Sequence, residues 1–430
     1  MSALILRTLY LSALLCIACA GLVGCDGDIE EARKRPVTLT VWVHESNADE
    51  LRTIQAQVAA FNASQYTIRV NAAVIPGSNF NSRIYEALKN NKLPDIFEVE
   101  SYNLAHYAWQ GIVAPIDKHL TDHSTESMPP AVLDMGRYGG RLYGVARHVD
   151  ETVLFARRSV LDSLSIRIPD SVASAWSRRE FHQVVRRICA KHKGHPALEL
   201  PLRGQEYEAL TQLLPAIRSA GGELVGGVSL TEVAGRLNSR PWGDVIEYLR
   251  GLHRAGCLAT DGKGQSFFAG DAGLLWANSA RYARLKARYG DDLLVLPLPD
   301  FGHGARTLPS GWLWTLSSQT QHPQAAMSLL EFMREDERLV AVADVNNDLP
   351  ASVTALADPL RFTPGSVSWM LADLLLHGAV DLPPTPALPL FARSLGELLP
   401  DMIEGKRPVR PELDRVAVDL DRKIKGFERL

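Results

Sequence analysis

The strongest constraint on the fold is a regular alternation of strand-like and helix-like segments near the start of the chain. Residues 37–43 alternate between apolar and other side chains, which is typical of a β-strand. Apolar residues then recur at helical spacing in residues 51–61. A second strand pattern at 66–75, a second helical pattern at 80–88 and a third strand pattern at 94–99 follow. This order implies right-handed crossovers and a parallel sheet, so the predicted fold class is α/β.

The predicted strand ends are the first place to look for a binding site. Ligands of open parallel α/β sheets bind beyond the carboxyl ends of the strands. Those ends are Glu45, Ser46 and Asn47 after the first strand, residues 76–78 after the second, and Glu100, Ser101 and Tyr102 after the third. Side chains from all three turns are therefore predicted to share one edge of the sheet.

Residues 1–24 have the layout of an export signal. The basic residue Arg7 precedes an apolar run, and small residues crowd the end of that run. The predicted cut falls before Cys25, which follows the small Gly24 and the apolar Leu22. This arrangement is similar to the bacterial lipoprotein signal, in which the cysteine thiol is acylated. A plain signal peptide or an uncleaved anchor is the alternative, although the run is at the short end of the ~20 residues that span a bilayer.

A polar segment follows the predicted lipid site. Residues 25–36 are mixed in charge and offer nothing to bury, so we expect a solvated tether. By resemblance to lipoproteins of bacteria with two membranes, Asp26 indicates retention on the inner membrane. The predicted location is outside the cytoplasm, lipid-anchored to the membrane, and on the periplasmic face of the inner membrane if the cell has two membranes.

Composition limits the remaining possibilities. A chain of 430 residues is too long for one compact core, so two or three units are expected. The net charge of −3 gives no case for a nucleic-acid partner. Of the five cysteines, Cys189 and Cys257 alone lie outside the signal and the predicted lipid site. They could pair in an oxidising compartment, but spacing in sequence does not show whether their Cα atoms are close enough.

A series of short motifs runs along the mature chain. They are PDIF at 94–97, GIVAPI at 111–116, GGRLYGV at 139–145, LFARRSVL at 154–161, FAGDAGLLW at 268–276, VLP at 295–297, SGWLW at 310–314, HPQAA at 322–326 and IEGK at 403–406. In this order they resemble extracellular solute-binding proteins of carbohydrate ABC importers, the maltose-binding type. One departure is Arg157 and Arg158, which replace the Asn-Lys pair usual in that group.

The resemblance implies a two-lobed periplasmic-binding-protein fold of type II, with mostly parallel sheets and lobes that close about a hinge. The first lobe would comprise residues 37–149 and 298–342, and the second 150–295 and 350–430. The implied function is that of a substrate-binding lipoprotein importing a sugar or a related small polyhydroxy ligand. Its implied partners are that ligand and the ABC permease subunits. We expect a monomer without catalytic activity, cofactor or metal.

A sugar site needs carboxylates or amides for ring hydroxyls and aromatic platforms for the C–H faces. The candidates are Glu45, Ser46, Asn47, Glu100, Ser101, Tyr102, Asp150, Trp276, Asn278, Ser279, Ser310, Gly311, Trp312 and Phe391. Asp150 falls at the lobe crossover, where the resemblance implies an acidic ligand contact, and a helix or turn cap is its alternative role. Trp276 and Trp312 could instead be core residues, since tryptophan is mostly buried. The aromatic content of 7% favours a small ligand.

Two basic residues before the crossover, Arg147 and His148, raise a second possibility. They could bind an anionic ligand, because an Arg fork suits phosphate or carboxylate. Relatives in the same group that bind glycerol phosphate or glycerophosphodiesters make this the main alternative to a sugar. A solvated basic pair, or an ion pair with Asp150 or Glu151, is the alternative in which neither residue binds a ligand.

Enzyme and adhesin functions have less support. The sequence contains no nucleophile elbow, HExxH pair or phosphate loop. His119 and His123 are four residues apart, beside Asp117 and Asp122, but a solvated loop is the simpler interpretation. Paired carboxylates of a glycoside-acting enzyme cannot be recognised from sequence alone, because their separation in space decides the chemistry. A surface adhesin would not need the two-lobed motif order.

Overall fold

The computed structural model describes residues 36–120, 125–192, 194–204, 207–260 and 264–427. The predicted signal, Cys25, nearly all of the tether and His123 lie outside the described residues. In the part of the chain that is described, no helix combines the length and the apolar character needed to cross a membrane.

Strands and helices are mixed along most of the described chain, and after β15 only helices follow. The strands are β1 (Val37–His44), β2 (Ile68–Ile75), β3 (Ile96–Glu100), β4 (Val113–Ala114), β5 (Arg137–Tyr138), β6 (Arg141–Leu142), β7 (Gly144–Ala146), β8 (His148–Arg157), β9 (Leu198–Glu199), β10 (Leu258–Ala259), β11 (Leu274–Asn278), β12 (Leu293–Leu296), β13 (Pro309–Ser310), β14 (Trp312–Ser317) and β15 (Leu349–Pro350). The helices are α1 (Ala48–Ser64), α2 (Phe80–Lys89), α3 (Ser101–Trp109), α4 (Pro130–Met135), α5 (Arg158–Ser163), α6 (Arg178–Lys191), α7 (Glu208–Ser219), α8 (Arg240–Arg254), α9 (Gln265–Ala269), α10 (Tyr282–Tyr289), α11 (Pro323–Met333), α12 (Asp336–Asn346), α13 (Val353–Leu356), α14 (Val367–His377), α15 (Leu388–Leu395), α16 (Leu398–Ile403) and α17 (Val409–Ile424).

The first lobe is built on the strands that the sequence predicts. Its sheet has the order β2-β1-β3-β14-β4, with β7 also paired to β14. β1 runs parallel to β2 and β3, as expected for strands joined by the crossover helices α1 and α2. Asn47 caps α1, because its side-chain oxygen accepts hydrogen bonds from the backbone N–H groups of Asp49 and Glu50.

The second lobe has a sheet of order β10-β9-β11-β8-β12. β9 is parallel to β10 and β11, whereas β8 is antiparallel to β11 and β12. The two-lobed α/β architecture is thus confirmed, but the expectation of mostly parallel sheets is wrong. β8 and β14 pair antiparallel because each enters its sheet from the other lobe, without the crossover helix that makes neighbouring strands parallel.

Three chain segments that join the lobes lie side by side as a hinge. β15 pairs with the start of β8, with Leu349 opposite Val149 and Pro350 opposite His148. β13 pairs with the next part of β8, with Ser310 opposite Asp150. The first residues of β8 are therefore hydrogen-bonded to both of the other crossings.

The predicted lobe boundaries remain proposals, and contacts favour shifting one of them. Leu298 and Leu308 belong to the hydrophobic cluster of the second lobe that contains Trp176. The backbone N–H of Asp300 donates to the Trp176 carbonyl at 2.8 Å. These contacts favour a return crossing at Pro309 rather than at residue 298.

A disulfide joins the remaining two cysteines. Cys189 lies on α6 and Cys257 immediately precedes β10, with their Cα atoms 5.4 Å apart. The possibility that the sequence left open is therefore decided by the tertiary structure, which brings together residues 68 positions apart.

We expect the double variant Cys189→Ala/Cys257→Ala to lose about 2–4 kcal/mol of unfolding free energy. The physical reason is that the bridge closes a long loop and restricts the unfolded chain. Denaturant unfolding of the two proteins checks this. A reductant should lower the unfolding midpoint of the wild type and leave that of the double variant unchanged, and equal midpoints without reductant would contradict the prediction.

Candidate functional site

An open cleft of about 820 Å³ lies between the two lobes at the hinge. Its lining comprises His44, Glu100, Tyr102, Asp150, Thr152, Gly204, Tyr207, Glu208, Thr211, Gln212, Gln265, Asn278, Ala280, Arg281, Arg284, Leu308, Ser310, Gly311 and Trp312. These residues come from strands of both sheets, from α7 and the loop before it, and from α9 and α10. The cleft is therefore at the strand edge where the sequence places a binding site.

The structure brings seven of the predicted site residues into this cleft. They are Glu100, Tyr102, Asp150, Asn278, Ser310, Gly311 and Trp312. Strand register explains the convergence, since Trp312 is opposite Glu100 in the first sheet and Ser310 is opposite Asp150 in the hinge. The Asn278 amide donates to the Ser310 hydroxyl at 3.2 Å, which joins the second lobe to the return crossing. Asp150 lies within β8 and is not a helix cap.

The other predicted residues do not line the cleft. Glu45 is exposed, Asn47 caps α1, Ser46 is half-buried beside them, and Ser101 lines a separate small cavity.

Trp276 and Phe391 are core residues of the second lobe, and the Trp276 indole donates to the Gln212 carbonyl at 3.0 Å. The Ser279 hydroxyl is buried and accepts a hydrogen bond from the Glu151 backbone N–H. Alternation along a strand puts Trp276 and Asn278 on one face, but Trp276 is deeper in the sheet and α7 covers it.

Sequence reasoning missed several lining residues. His44 is the last residue of β1 and directly precedes Glu45, the first residue that was predicted for this turn. Starting the predicted turn one residue earlier would have included it. Arg281 and Arg284 follow the end of β11 and could have been found in the same way. Tyr207 and Glu208 had no such signal, because the loop before α7 reaches the cleft only through the tertiary fold.

Aromatic rings form two surfaces in the cleft. The Trp312 indole stacks on the His44 imidazole, with ring centroids 3.7 Å apart and planes 6° apart. In the second surface, Tyr102 of the first lobe stacks on Tyr207 of the second, with ring centroids 4.1 Å apart. The Tyr207 hydroxyl also donates to the Asn103 side-chain oxygen at 2.9 Å, so the two lobes touch here.

The charges that face the cleft are mixed. Arg281 and Glu208 form an ion pair at 3.1 Å across the second-lobe wall. Burial raises the pKa of Glu100 above its ordinary value, and burial together with the neighbouring Glu100 raises the pKa of Tyr102. The cleft therefore offers carboxyl, amide and hydroxyl groups beside aromatic faces.

Arg147 is buried under the cleft rather than in it. Its guanidinium pairs with the carboxylates of Glu98, at 2.9 Å, and Glu50. His44 Nδ1 lies 2.7 Å from the other Glu98 oxygen. Burial would raise the pKa of Glu98, but Arg147 and His44 outweigh burial and lower it. Arg147 therefore forms an ion pair, but with Glu50 and Glu98 rather than with Asp150 or Glu151. Its guanidinium charge is not available to an anionic ligand.

A group of carboxyls lies on the hinge strands. Burial raises the pKa of Asp150 to about 6, although the adjacent Asp348 side chain acts in the opposite direction. Burial and then the neighbouring Asp150 raise the pKa of both Glu151 and Asp348 well above ordinary values. His148, on the same strand, has its pKa lowered by burial and by Arg147.

A hinge of three strands between two α/β lobes, with a cleft over it, defines a two-lobed ligand-binding protein of the periplasmic type. The family profile described as "Bacterial extracellular solute-binding protein" matches residues 56–362, well over half of the chain. The chain belongs to this family.

Individual relatives are distant in sequence and close in fold. A protein of Streptomyces antibioticus described as "Uncharacterized lipoprotein in oleD 5'region" is 23% identical over 390 residues, which cover 88% of this chain and 83% of the relative. The cyclic alpha-maltosyl-1,6-maltose binding protein of Arthrobacter globiformis superposes with a TM-score of 0.79 at 17% identity, covering 91% of this chain and 100% of that one. The sugar-binding protein MalE of Xanthomonas citri gives 0.76 at 18% identity, covering 91% and 97%. At these identities the two structures support the fold.

The raised pKa of Asp150 predicts a pH dependence of stability. Its folded value of about 6 lies above the ordinary 3.8, so the folded chain holds more protons between these two pH values. The contribution of Asp150 to the free energy of unfolding therefore falls as pH rises through this window. Asp150→Asn should gain stability relative to the wild type across the same window, by up to roughly 2–3 kcal/mol.

Urea unfolding in EDTA, on either side of the window, measures this difference. Asp162→Asn, which removes an exposed carboxylate on α5, is the matched control and should show a constant difference from the wild type. A constant difference for Asp150→Asn as well would contradict the prediction.

Proposed function

We propose that this protein is the substrate-binding lipoprotein of an ABC importer for a carbohydrate. It binds its ligand in the cleft between the lobes, releases it unchanged, and acts without a cofactor. The observation that carries the proposal is the chemistry of the cleft, where the Trp312 and Tyr102 rings lie beside Glu100, Asp150 and Asn278.

Each part of this lining matches a part of a sugar. Carboxylate and amide oxygens accept hydrogen bonds from ring hydroxyls, and aromatic faces pack against the C–H face of the ring. The volume of about 820 Å³ falls within the ~300–1,000 Å³ typical of small-molecule sites. It has room for more than one sugar ring, so we extend the small ligand expected from aromatic content to include short oligosaccharides.

The comparisons support the same ligand class. The Arthrobacter globiformis protein is named for binding cyclic alpha-maltosyl-1,6-maltose, and the Xanthomonas citri protein is named as sugar-binding. The anionic alternative, glycerol phosphate or a glycerophosphodiester, loses its main support because Arg147 pairs with two buried carboxylates. Arg284 still lines the cleft and could contact a phosphate, so the binding experiment below includes an anionic ligand.

The partners follow from the family. We propose that the loaded protein presents both lobes to the permease subunits of the importer as a monomer. Acylation of Cys25 would hold it at the membrane after export, on the periplasmic face of the inner membrane if the cell has two. The lipoprotein description of the Streptomyces antibioticus relative supports this anchoring.

We expect a panel of maltooligosaccharides, monosaccharides and glycerol 3-phosphate to identify at least one sugar that raises the melting temperature. Trp312→Ala should weaken the binding of that sugar by about 2 kcal/mol or more, roughly thirtyfold, because the variant loses an aromatic surface of the cleft. Isothermal titration calorimetry measures the change.

Tyr66→Ala is the matched control, because Tyr66 is 90% exposed and is not part of the cleft lining. It should bind like the wild type. Binding of glycerol 3-phosphate with no response to any sugar would replace the carbohydrate proposal by the anionic one. Conversion of a bound sugar to a product would contradict a purely binding role.

The lipid anchor is tested separately. Cys25→Ser should be exported but carry no acyl chain, because the thiol is the acylated group. Labelling with a fatty-acid analogue, followed by membrane fractionation, measures both properties. The Cys189→Ala/Cys257→Ala variant should still label, and labelling of Cys25→Ser would show that the lipoprotein interpretation is wrong.

A further inference from the structure

His148, Asp150 and Asp348 form a compact cluster on two of the hinge strands. One ligand atom from each residue can be chosen so that all three atoms lie within 4.8 Å of one another. His148 and Asp150 are two residues apart on β8, so their side chains point to the same face. Asp348 immediately precedes β15, in which Leu349 is opposite Val149, so the register continued by one residue places Asp348 next to Asp150. The cluster is thus set by strand pairing.

Polar atoms in this cluster are buried without a hydrogen-bond partner. Asp348 is 3% exposed, and neither of its carboxylate oxygens has a described partner within hydrogen-bonding geometry, although the Asp150 carboxyl and the Asn346 amide lie beside them. One oxygen of Asp150 is in the same condition, as is Nδ1 of His148. His148 Nε2 lies 3.7 Å from Asp348, which is too long for a hydrogen bond. Unpaired buried carboxylates are costly, so the cluster calls for a positive partner.

The nearest basic side chain in the sequence, that of Arg147, does not supply this positive charge. Arg147 precedes His148, but its guanidinium is held by Glu50 and Glu98. Two carboxylates held this close repel each other when both are ionised, and the side chains of Asp150 and Asp348 are within 4.8 Å of one another. Either a bound cation or a shared proton must relieve the repulsion.

We propose that His148, Asp150 and Asp348 bind a divalent transition-metal cation of the Zn²⁺ or Mn²⁺ class. Imidazole nitrogen favours Zn²⁺-like ions, and carboxylate oxygen is also accepted by Mn²⁺. Ligand bonds to Zn²⁺ are ~2.0–2.2 Å, so two ligand atoms on one ion are separated by at most ~4.4 Å. The observed separations need only small side-chain movements to reach that geometry.

The cation would connect the hinge to the cleft. His148 and Asp150 belong to the first crossing and Asp348 to the third, so one ion ties two of the three crossings together. Asp150 also lines the cleft. The proposal does not rest on the ligand being a carbohydrate, and its test uses no sugar.

The test titrates EDTA-treated mature protein with Zn²⁺ and with Mn²⁺, using Mg²⁺ and Ca²⁺ for comparison. We expect calorimetry to show one equivalent of Zn²⁺ or Mn²⁺ per chain, with a rise in melting temperature of several degrees. Asp348→Asn keeps the shape but removes a ligand, so its affinity should fall at least tenfold. Without metal it should melt at or above the wild-type temperature, because the repulsion with Asp150 is gone.

Asp162→Asn is the matched control and should bind the metal as the wild type does. His148→Gln serves as a second ligand variant should Asp348→Asn fail to fold, and it too should lose at least tenfold in affinity. No saturable binding by the wild type would overturn the proposal and leave a proton shared between Asp150 and Asp348. Wild-type affinity in the ligand variants would also overturn it, because the ion would then be held elsewhere.

Discussion

Pairing of a single strand, β8, with four others holds the two lobes in one structure. Its first residues pair with β15 and β13, and its later residues pair with β11 and β12 in the second-lobe sheet. Strand hydrogen bonds fix register, and a slip of one residue would turn every side chain of β8 to the opposite face. The position of Asp150 in the cleft and the burial of Val153 and Phe155 in the core therefore depend on one alignment.

The residue before β8 adds an electrostatic constraint beneath the hinge. Arg147 balances Glu50 and Glu98, while His44 links Glu98 to the floor of the cleft through its stack on Trp312. Breaking a buried ion pair leaves an uncompensated charge, so this network resists change more than an exposed pair would. It also explains why a basic residue so close to the cleft is unsuited to bind an anion. The cleft surface offers aromatic, carboxyl and amide groups, which is the chemistry that supports a sugar, and of its two arginines Arg281 is paired with Glu208.

Prediction from sequence succeeded where local pattern decides structure. The strand predicted at 66–75 is β2 (Ile68–Ile75), and the one predicted at 94–99 is β3 (Ile96–Glu100). The strand-end rule placed Glu100 and Tyr102 in the cleft. The strand-end rule failed for Trp276. Periodicity shows that Trp276 and Asn278 share one face of β11, but it does not show which of the two a helix covers. It also missed Tyr207, since a loop residue has no periodic signal.

The sequence by itself determined the α/β alternation, the motif order of a two-lobed binding protein and a set of polar and aromatic residues at strand ends. Only the tertiary structure decided the antiparallel entry of β8 and β14, the bridge between Cys189 and Cys257, and the partners of Arg147. The physical reason is the range of the interactions. Strand and helix patterns arise between neighbours in the chain, whereas pairing across the hinge and burial of charge depend on residues that are distant in sequence.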